Sequence, residues 1–473
     1  MRKIAGYLII LFATFYAEIA YSQNDSTLLG FDAFMELVQK NHPLSKQANL
    51  MLDLGEANLR KAKGGFDPVL KSVYDQKQFD GKDYYQLNSN QISIPTPLGL
   101  EFKAGYDKNT GLFVNPENQL PNNGLAYAGI AIPIGTGLLF DERRQEIRQA
   151  EVYERATILE RTLLLNQLIF DASKAYWNWY TAWNAYKIYD ESVRLAEFRF
   201  RGIRASYLQG DLPAIDTLEA YILVQNREIS RNDAMIKMQK AKLEVSNYLW
   251  SDQLQPLLLT ESSRPIEHEE LSLSQPLEEA LLASVLSNLD DAHPKMQLIY
   301  NKLENLNFER RMKAEKVKPK LNFNYNFLNQ PVNGNPLENI STNDFKWGFE
   351  FSMPLLLRKG RGDLQITKIK MDQINLSRQQ ENLMISNKIK ANQVEIENLY
   401  EQIALFRKAV ENYAFMLKGE KRKFEEGESS LFIVNSRENS LITAEIKLIE
   451  LLSKYQTAHA GLILAMGGNE ILL

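Results

Sequence analysis

The chain of 473 residues contains no cysteine. That absence excludes disulfides, thiolate metal sites, cysteine nucleophiles and a lipid attached to an N-terminal cysteine, and it fits an exported protein that folds without oxidative help. Histidine is scarce: His42, His268, His293 and His459 show no ligand spacing, and no methionine or histidine cluster marks a copper or zinc path. No cofactor or metal is expected. The formal net charge of −4 lacks the basic excess that displaces phosphate counterions, so no nucleic-acid partner is expected. Beyond the N-terminal segment, eighteen apolar residues never occur together without charge, which leaves no candidate transmembrane helix. Contact with the interior of a bilayer is open to β-strands only. No nucleophile with an adjacent base, no paired catalytic carboxylates and no phosphate loop stands out, so an enzyme is not expected.

What is present begins with an export signal. Arg2 and Lys3 precede an apolar run from Ile4 to Ala17, and Ala20-Tyr21-Ser22 supplies small residues at the −3 and −1 positions of a cut before Gln23. Residues 1–22 are read as a signal peptide. The rest reads twice. His42-Pro43 is followed by Gly65-Phe66-Asp67-Pro68-Val69-Leu70, and His293-Pro294 by Val317-Lys318-Pro319-Lys320-Leu321, with the second proline 26 residues past the histidine in both copies. Each copy then reaches a proline after apolar residues, Ile132-Pro133-Ile134 and Met353-Pro354-Leu355, and enters a long helical stretch broken once at a glycine, Gly210 or Gly427. The repeat is too long for a solenoid unit and implies two homologous halves, 23–251 and 292–473, joined by an irregular connector at 252–291 with a short helix near Leu277 to Leu289.

Leu28 to Lys63 has helical apolar spacing, interrupted at Asn41-His42-Pro43 because a residue before proline is pushed out of the helical region. Residues 68–134 and 320–354 have strand period. Leu98, Leu100, Phe102, Ala104 and Tyr106 alternate with Gly99, Glu101, Lys103 and Gly105. Leu321, Phe323, Tyr325 and Phe327 interleave with Asn322, Asn324 and Asn326, and Phe345, Trp347, Phe349 and Phe351 with Lys346, Gly348, Glu350 and Ser352. One face aromatic and the other amide and charge suits either a half-buried sandwich or a barrel with lipid outside and water within. Asp80-Gly81-Lys82-Asp83 reads as a hairpin turn.

Residues 141–250 and 363–466 are helical, with tips near 210 and 427. Ile169, Ala172, Tyr176, Trp179, Trp183 and Tyr186 form a seam of alternating three- and four-residue steps, as do Ile396, Leu399, Ile403, Phe406, Val410, Tyr413 and Leu417. Trp177, Trp179 and Trp183 read as packing residues. Asp141 to Tyr207 is about 67 residues without proline, or roughly 100 Å of helix. Globular helices average about 11 to 12 residues, so two long hairpins turning at Gly210 and Gly427 are predicted.

The His-Pro start of each half, the prolines opening and closing the strands (Pro68, Pro133, Pro319, Pro354), the aromatic-x-x-Gly tips (Tyr207 to Gly210, Phe424 to Gly427) and Glu428-Ser429-Ser430-Leu431-Phe432 with Arg437 together resemble the TolC family of outer-membrane efflux and secretion proteins. The resemblance covers nearly all of the chain after residue 22. It implies an α+β membrane fold: a homotrimer whose protomers share one β-barrel in outer-membrane lipid and one hollow periplasmic cylinder of helical hairpins. It also implies docking of a periplasmic adaptor and an inner-membrane efflux or ABC transporter at the tips, here Gly210, Asp211, Gly427, Glu428 and Ser429. Phe102, Tyr106, Phe323, Tyr325, Phe327, Phe345, Trp347, Phe349 and Phe351 are the expected lipid-facing aromatics.

Two departures accompany it. The first β segment is longer and holds four strand-like pieces, leaving open whether the extra pair joins the barrel or forms a surface hairpin. Where well-studied members carry entrance aspartates, this chain has Ile433, Asn435 and Ser436, and its acids sit at the tips as Asp216, Glu425 and Glu426 beside Asp211 and Glu428. Threefold repetition of such acids would form a ring attracting cations. The resulting expectation is a passive exit duct of a tripartite efflux or type I secretion system in a Gram-negative type of envelope. The alternatives are a secreted coiled-coil scaffold or adhesin without a pore, or a periplasmic enzyme.

Overall fold

A computed structural model describes residues 28–468 except 138–139, 267–270, 272, 333–334, 336–337 and 339–340. The signal peptide and His268 lie outside the described residues. The chain forms two compact units. One comprises the described residues up to Gln47, Leu164–Leu286 and the chain from Ile385 onward; the other comprises Ala48–Leu163 and Ser287–Met384.

The first half begins with helices α1 (Phe31–Asn41) and α2 (Pro43–Lys63), the second with α6 (Leu289–Ala292) and α7 (Pro294–Glu315). The His-Pro pair makes the junction in both. His42 Nδ1 accepts from the Leu44 amide at 3.2 Å, and His293 Nδ1 accepts from the Lys295 amide at 3.1 Å. Each histidine is thus the N-cap of the helix that follows, with proline at the first helical position, where its missing N–H leaves nothing unsatisfied.

The second unit carries a single antiparallel sheet in sequence order: β1 (Val69–Phe79), β2 (Lys82–Pro95), β3 (Glu101–Thr110), β4 (Leu125–Pro133), β5 (Lys320–Asn329) and β6 (Phe345–Ser352). All four pieces of the first half belong to it. Asp80 and Gly81 join β1 to β2 with positive φ at both positions (52° and 67°), the geometry of a two-residue hairpin turn. The alternation read from Leu98 does not reach that far. Thr96 folds back, its amide and hydroxyl both donating to the Leu100 carbonyl at 2.8 Å, with Gly99 at φ 85°, so Leu98 belongs to a tight turn and β3 starts at Glu101.

Two helices of 68 residues follow the sheet strands: α3 (Glu142–Gln209) after β4 and α8 (Arg358–Glu425) after β6. α8 begins five residues before the stretch expected from the sequence. Asp141 caps α3, accepting from the Arg144 amide at 2.7 Å. Their returns are α4 (Ala214–Ser246) and α9 (Leu431–Ala465). In the connector the expected short helix is α5 (Glu279–Ser287), with α6 beginning two residues later.

The core of the first unit is built on the aromatic stretch of α3. Trp179, Tyr176 and Tyr180 are fully buried, and Trp177 nearly so. Phe31 and Phe34 of α1 pack against Tyr176 at centroid distances of 5.3 and 5.4 Å, and the Tyr176 hydroxyl donates to the Leu29 carbonyl. Ser453 of α9 donates to the Trp177 carbonyl, and Tyr455 reaches Ser274 in the connector. These tryptophans are packing residues; Trp183, at the margin, carries Lys187 over its ring at 5.4 Å. By contrast Leu50 and Leu54 of α2 are largely exposed rather than part of a protomer core.

Candidate functional site: helical tips and a two-faced sheet

The two tips are built by one rule. At the first, the Gly210 amide donates to the Tyr207 carbonyl and the Asp211 amide to the Ser206 carbonyl, both at 3.0 Å, with Gly210 at φ 88°. At the second, Gly427 donates to Phe424 at 3.1 Å and Glu428 to Lys423 at 2.8 Å, with Gly427 at φ 79°. This paired pattern is the Schellman ending, which satisfies two orphan carbonyls and needs a left-handed residue that only glycine adopts without cost.

The tips also meet. Ile203, Ala220 and Leu431 form a buried cluster, with Phe200, Leu212 and Phe424 packed on it. Beside it lies a buried ion pair that sequence reasoning missed. Arg199 of α3 donates from Nη1 to Glu438 Oε2 at 2.9 Å and to Asn435 Oδ1 at 2.8 Å, and from Nη2 to Glu438 Oε1 at 3.2 Å. The side chain of Glu438 is only 5% exposed. The fork-to-carboxylate geometry joins first-half and second-half helices directly. Arg227 of α4, also buried, donates to Asn439 at 3.3 Å; burial lowers its pKa while Glu438 acts against that shift. The signal was present: Glu438 sits at a core position of the stripe Leu431, Val434, Glu438, Ile442, where a charge must be paired.

The expected acids lie at or beside the two tips. Asp211, Glu425, Glu426 and Glu428 are exposed and Asp216 is half-buried in the first turn of α4. Glu426 accepts from Arg422 at 3.0 Å, and Lys421 and Lys423 lie in the same turn of α8, so this tip carries bases beside its acids. The carboxylate engaged in the turn is Glu420, which accepts from Ser429 at 2.6 Å and lies 3.9 Å from Arg437 Nε.

In the other unit the sheet separates its side chains. Antiparallel pairing sets Phe327 opposite Phe345, Tyr325 opposite Trp347, Phe323 opposite Phe349 and Leu321 opposite Phe351. Ile130 pairs with both Tyr325 and Phe102, and Tyr106 lies opposite Ala126. All nine expected aromatics therefore share one face. Tyr325 stacks on Phe345 at 5.9 Å and meets Phe327 edge-on at 4.8 Å. The opposite face carries Glu101, Lys103, Asn322, Asn324, Asn326, Lys346 and Glu350. Of these, Glu101, Lys103, Asn322, Asn324 and Glu350 line a depression with Asp141, Glu142 and Arg143, where Lys103 and Arg143 approach Glu101 at 3.7 and 4.0 Å.

Residues 291–468 match the family model described as outer membrane efflux protein. The fold is TolC-like. The Campylobacter jejuni CmeC outer membrane channel shares 12% identity with a TM-score of 0.65, covering 92% of this chain and 85% of that one. The Neisseria gonorrhoeae MtrE outer membrane channel shares 13% with a TM-score of 0.66, covering 95% and 93%. The outer membrane protein VceC of Vibrio cholerae shares 12% with a TM-score of 0.63, covering 92% and 96%. A search of curated protein sequences returns no match. Outer membrane efflux proteins are channels rather than enzymes. Among the described residues no helix is long and apolar enough to cross a membrane, and no group of histidines and carboxylates could hold a metal ion.

Proposed function

We propose that this chain is the outer-membrane exit duct of an efflux or type I secretion system, a homotrimer reaching into the periplasm and serving a periplasmic adaptor and an inner-membrane transporter. The observation that carries the reading is the sheet's division: nine aromatics on one face, amides and charges on the other, and both edge strands, β1 and β6, without a second partner strand among the described residues. An open sheet of this composition is at rest only when sister strands close it, lipid meets the aromatics and water fills the inside.

The helices add support. Ile215, Leu218, Ile222, Ile229, Ile236 and Leu243 of α4 are all exposed and recur at helical spacing, an apolar stripe suited to cover by a neighbouring subunit. Gly210, Asp211, Gly427, Glu428 and Ser429 form the docking end in this reading. Asp216, Glu425 and Glu426 repeat around the entrance with Lys421, Arg422 and Lys423, giving a mixed rather than a purely negative field. Fractionation tests the reading: the protein should sediment with outer membrane, require detergent and run as a trimer, and its deletion should sensitise the cell to exported compounds. A rod soluble without detergent would overturn it in favour of a secreted scaffold.

A further inference from the structure

We propose that the wall of this duct contains six strands from each subunit, eighteen in the trimer, with the β1 edge of one copy paired to the β6 edge of the next. This rests on the duct reading above and concerns which edge closes the wall. The other solution is a wall of β3 to β6, with β1 and β2 leaving as a hairpin and β3 taking the neighbour's β6.

Four observations favour the larger wall. First, a smaller wall must give up the β2–β3 ladder, which runs through ten consecutive pairs from Gln86–Thr110 to Pro95–Glu101, more than the seven of β3–β4 or the eight of β4–β5. Second, the polar face is clamped across that joint. Tyr127 of β4 lies over Gly105 of β3 and its hydroxyl donates to Gln91 of β2 at 3.3 Å, so one side chain spans three strands. Gly105 is the opening it needs: a Cβ there would lie 2.5 Å from the tyrosine ring and 2.6 Å from the Asn90 carbonyl. An aromatic laid over a strand glycine is a device that fixes register. Third, the turn from Thr96 to Leu100 is closed by two hydrogen bonds to one carbonyl, which leaves no slack for β2 to swing away from β3. Fourth, the apolar face continues onto the extra pair through Leu70, Ile92 and Ile94, in register with Ala104 and Phe102.

Farther from that belt, β1 and β2 carry Ser72, Asn88 and Asn90 on the same face. These bond one another, Ser72 donating to Asn90 at 2.6 Å and Asn90 to Asn88 at 2.8 Å, so these polar groups find partners within the sheet itself. Barrels of sixteen to eighteen strands enclose an aqueous channel, so a wall of this size leaves a water-filled exit.

A chain without cysteine gives a clean background for cross-linking. Single cysteines at Lys71, Val73 or Asp75 of β1, or at Lys103 or Asp107 of β3, are each combined with one at Lys346, Gly348 or Glu350 of β6. The full-length protein is oxidised in outer membranes and read on denaturing gels, with native mass spectrometry for oligomeric state. Covalent dimers and trimers from β1–β6 pairs, with none from β3–β6 pairs, are expected. Links from β3–β6 pairs in a protein that is still trimeric overturn the eighteen-strand wall and leave the duct intact. A protein that never forms trimers in detergent overturns the duct reading itself, and this inference with it.

Discussion

The two halves of the chain agree in their helices and differ in their strands. Both long helices have 68 residues, both are preceded by a histidine-capped helix, and both reverse through the same Schellman turn. The first half nevertheless gives four strands and the second two. The tips explain why one part is held equal and the other is free to grow. Ile203, Ala220 and Leu431 share one cluster and Arg199 reaches Glu438 and Asn435, so adding a turn to one hairpin alone would pull these groups out of reach. A strand hairpin added at a sheet edge meets no such condition; it needs only a ladder to join.

The comparison can be broken most severely at the joint between the halves. Glu438→Ala should leave the largely buried Arg199 guanidinium without its counter-charge, with only Asn435 to accept from it, and cost up to about 3 kcal/mol locally, whereas Arg199→Met with Glu438→Leu should recover most of the loss. Hydrogen exchange of the amides around 203–212 and 424–434 reads both; unchanged protection in the single variant would refute the joint. Next in size is a contrast between strands of the two halves. Gly105→Ala should cost about 1–3 kcal/mol through collision with Tyr127, whereas Gly348, with nothing within 4 Å of its Cβ position, should accept alanine within about 0.5 kcal/mol. Thermal unfolding in detergent separates them, and equal melting shifts would count against the clamp.

The turns should sharpen the equivalence. Valine at Gly210 or at Gly427 is expected to cost about 1–2 kcal/mol or more at either tip, because the left-handed backbone is costly for a branched side chain. Limited proteolysis should open both tips alike and leave the sheet intact. The smallest effects belong to the caps, where His42→Ala and His293→Ala should each cost about 1 kcal/mol. Burial lowers the pKa of His42, and its Nδ1 must stay unprotonated to accept the Leu44 amide. Its contribution is therefore present above about pH 6.5 and lost as pH falls through the lowered folded value. A melting curve flat from pH 8 to 5 in the wild type would contradict this sign.

Much of this was legible in residues alone. The repeated His-Pro, the tip glycines and the alternation of Phe345 to Phe351 with polar neighbours each follow from a local rule of backbone or period, so they survive without knowledge of what packs where. The fate of Leu98 was not legible, because its apolar spacing continues into Thr96–Leu100 and only the hydrogen bonds to the Leu100 carbonyl turn the chain there. Nor were the partners of Glu438 and Arg199, which lie 239 positions apart. A charge inside an apolar stripe announces that it has a partner without saying which. For the same reason a count of carboxylates near Gly427 does not show Arg422 folding onto Glu426.

The bare backbones along β1 and β6 have a genetic consequence. In the proposed trimer, a ring completed by three identical contributions is only as sound as its worst member. One subunit with a proline in an edge ladder would spoil the two healthy copies it joins. Co-expressed with the normal gene, such an allele should be dominant, and the surviving share of sound rings should fall as the cube of the normal fraction.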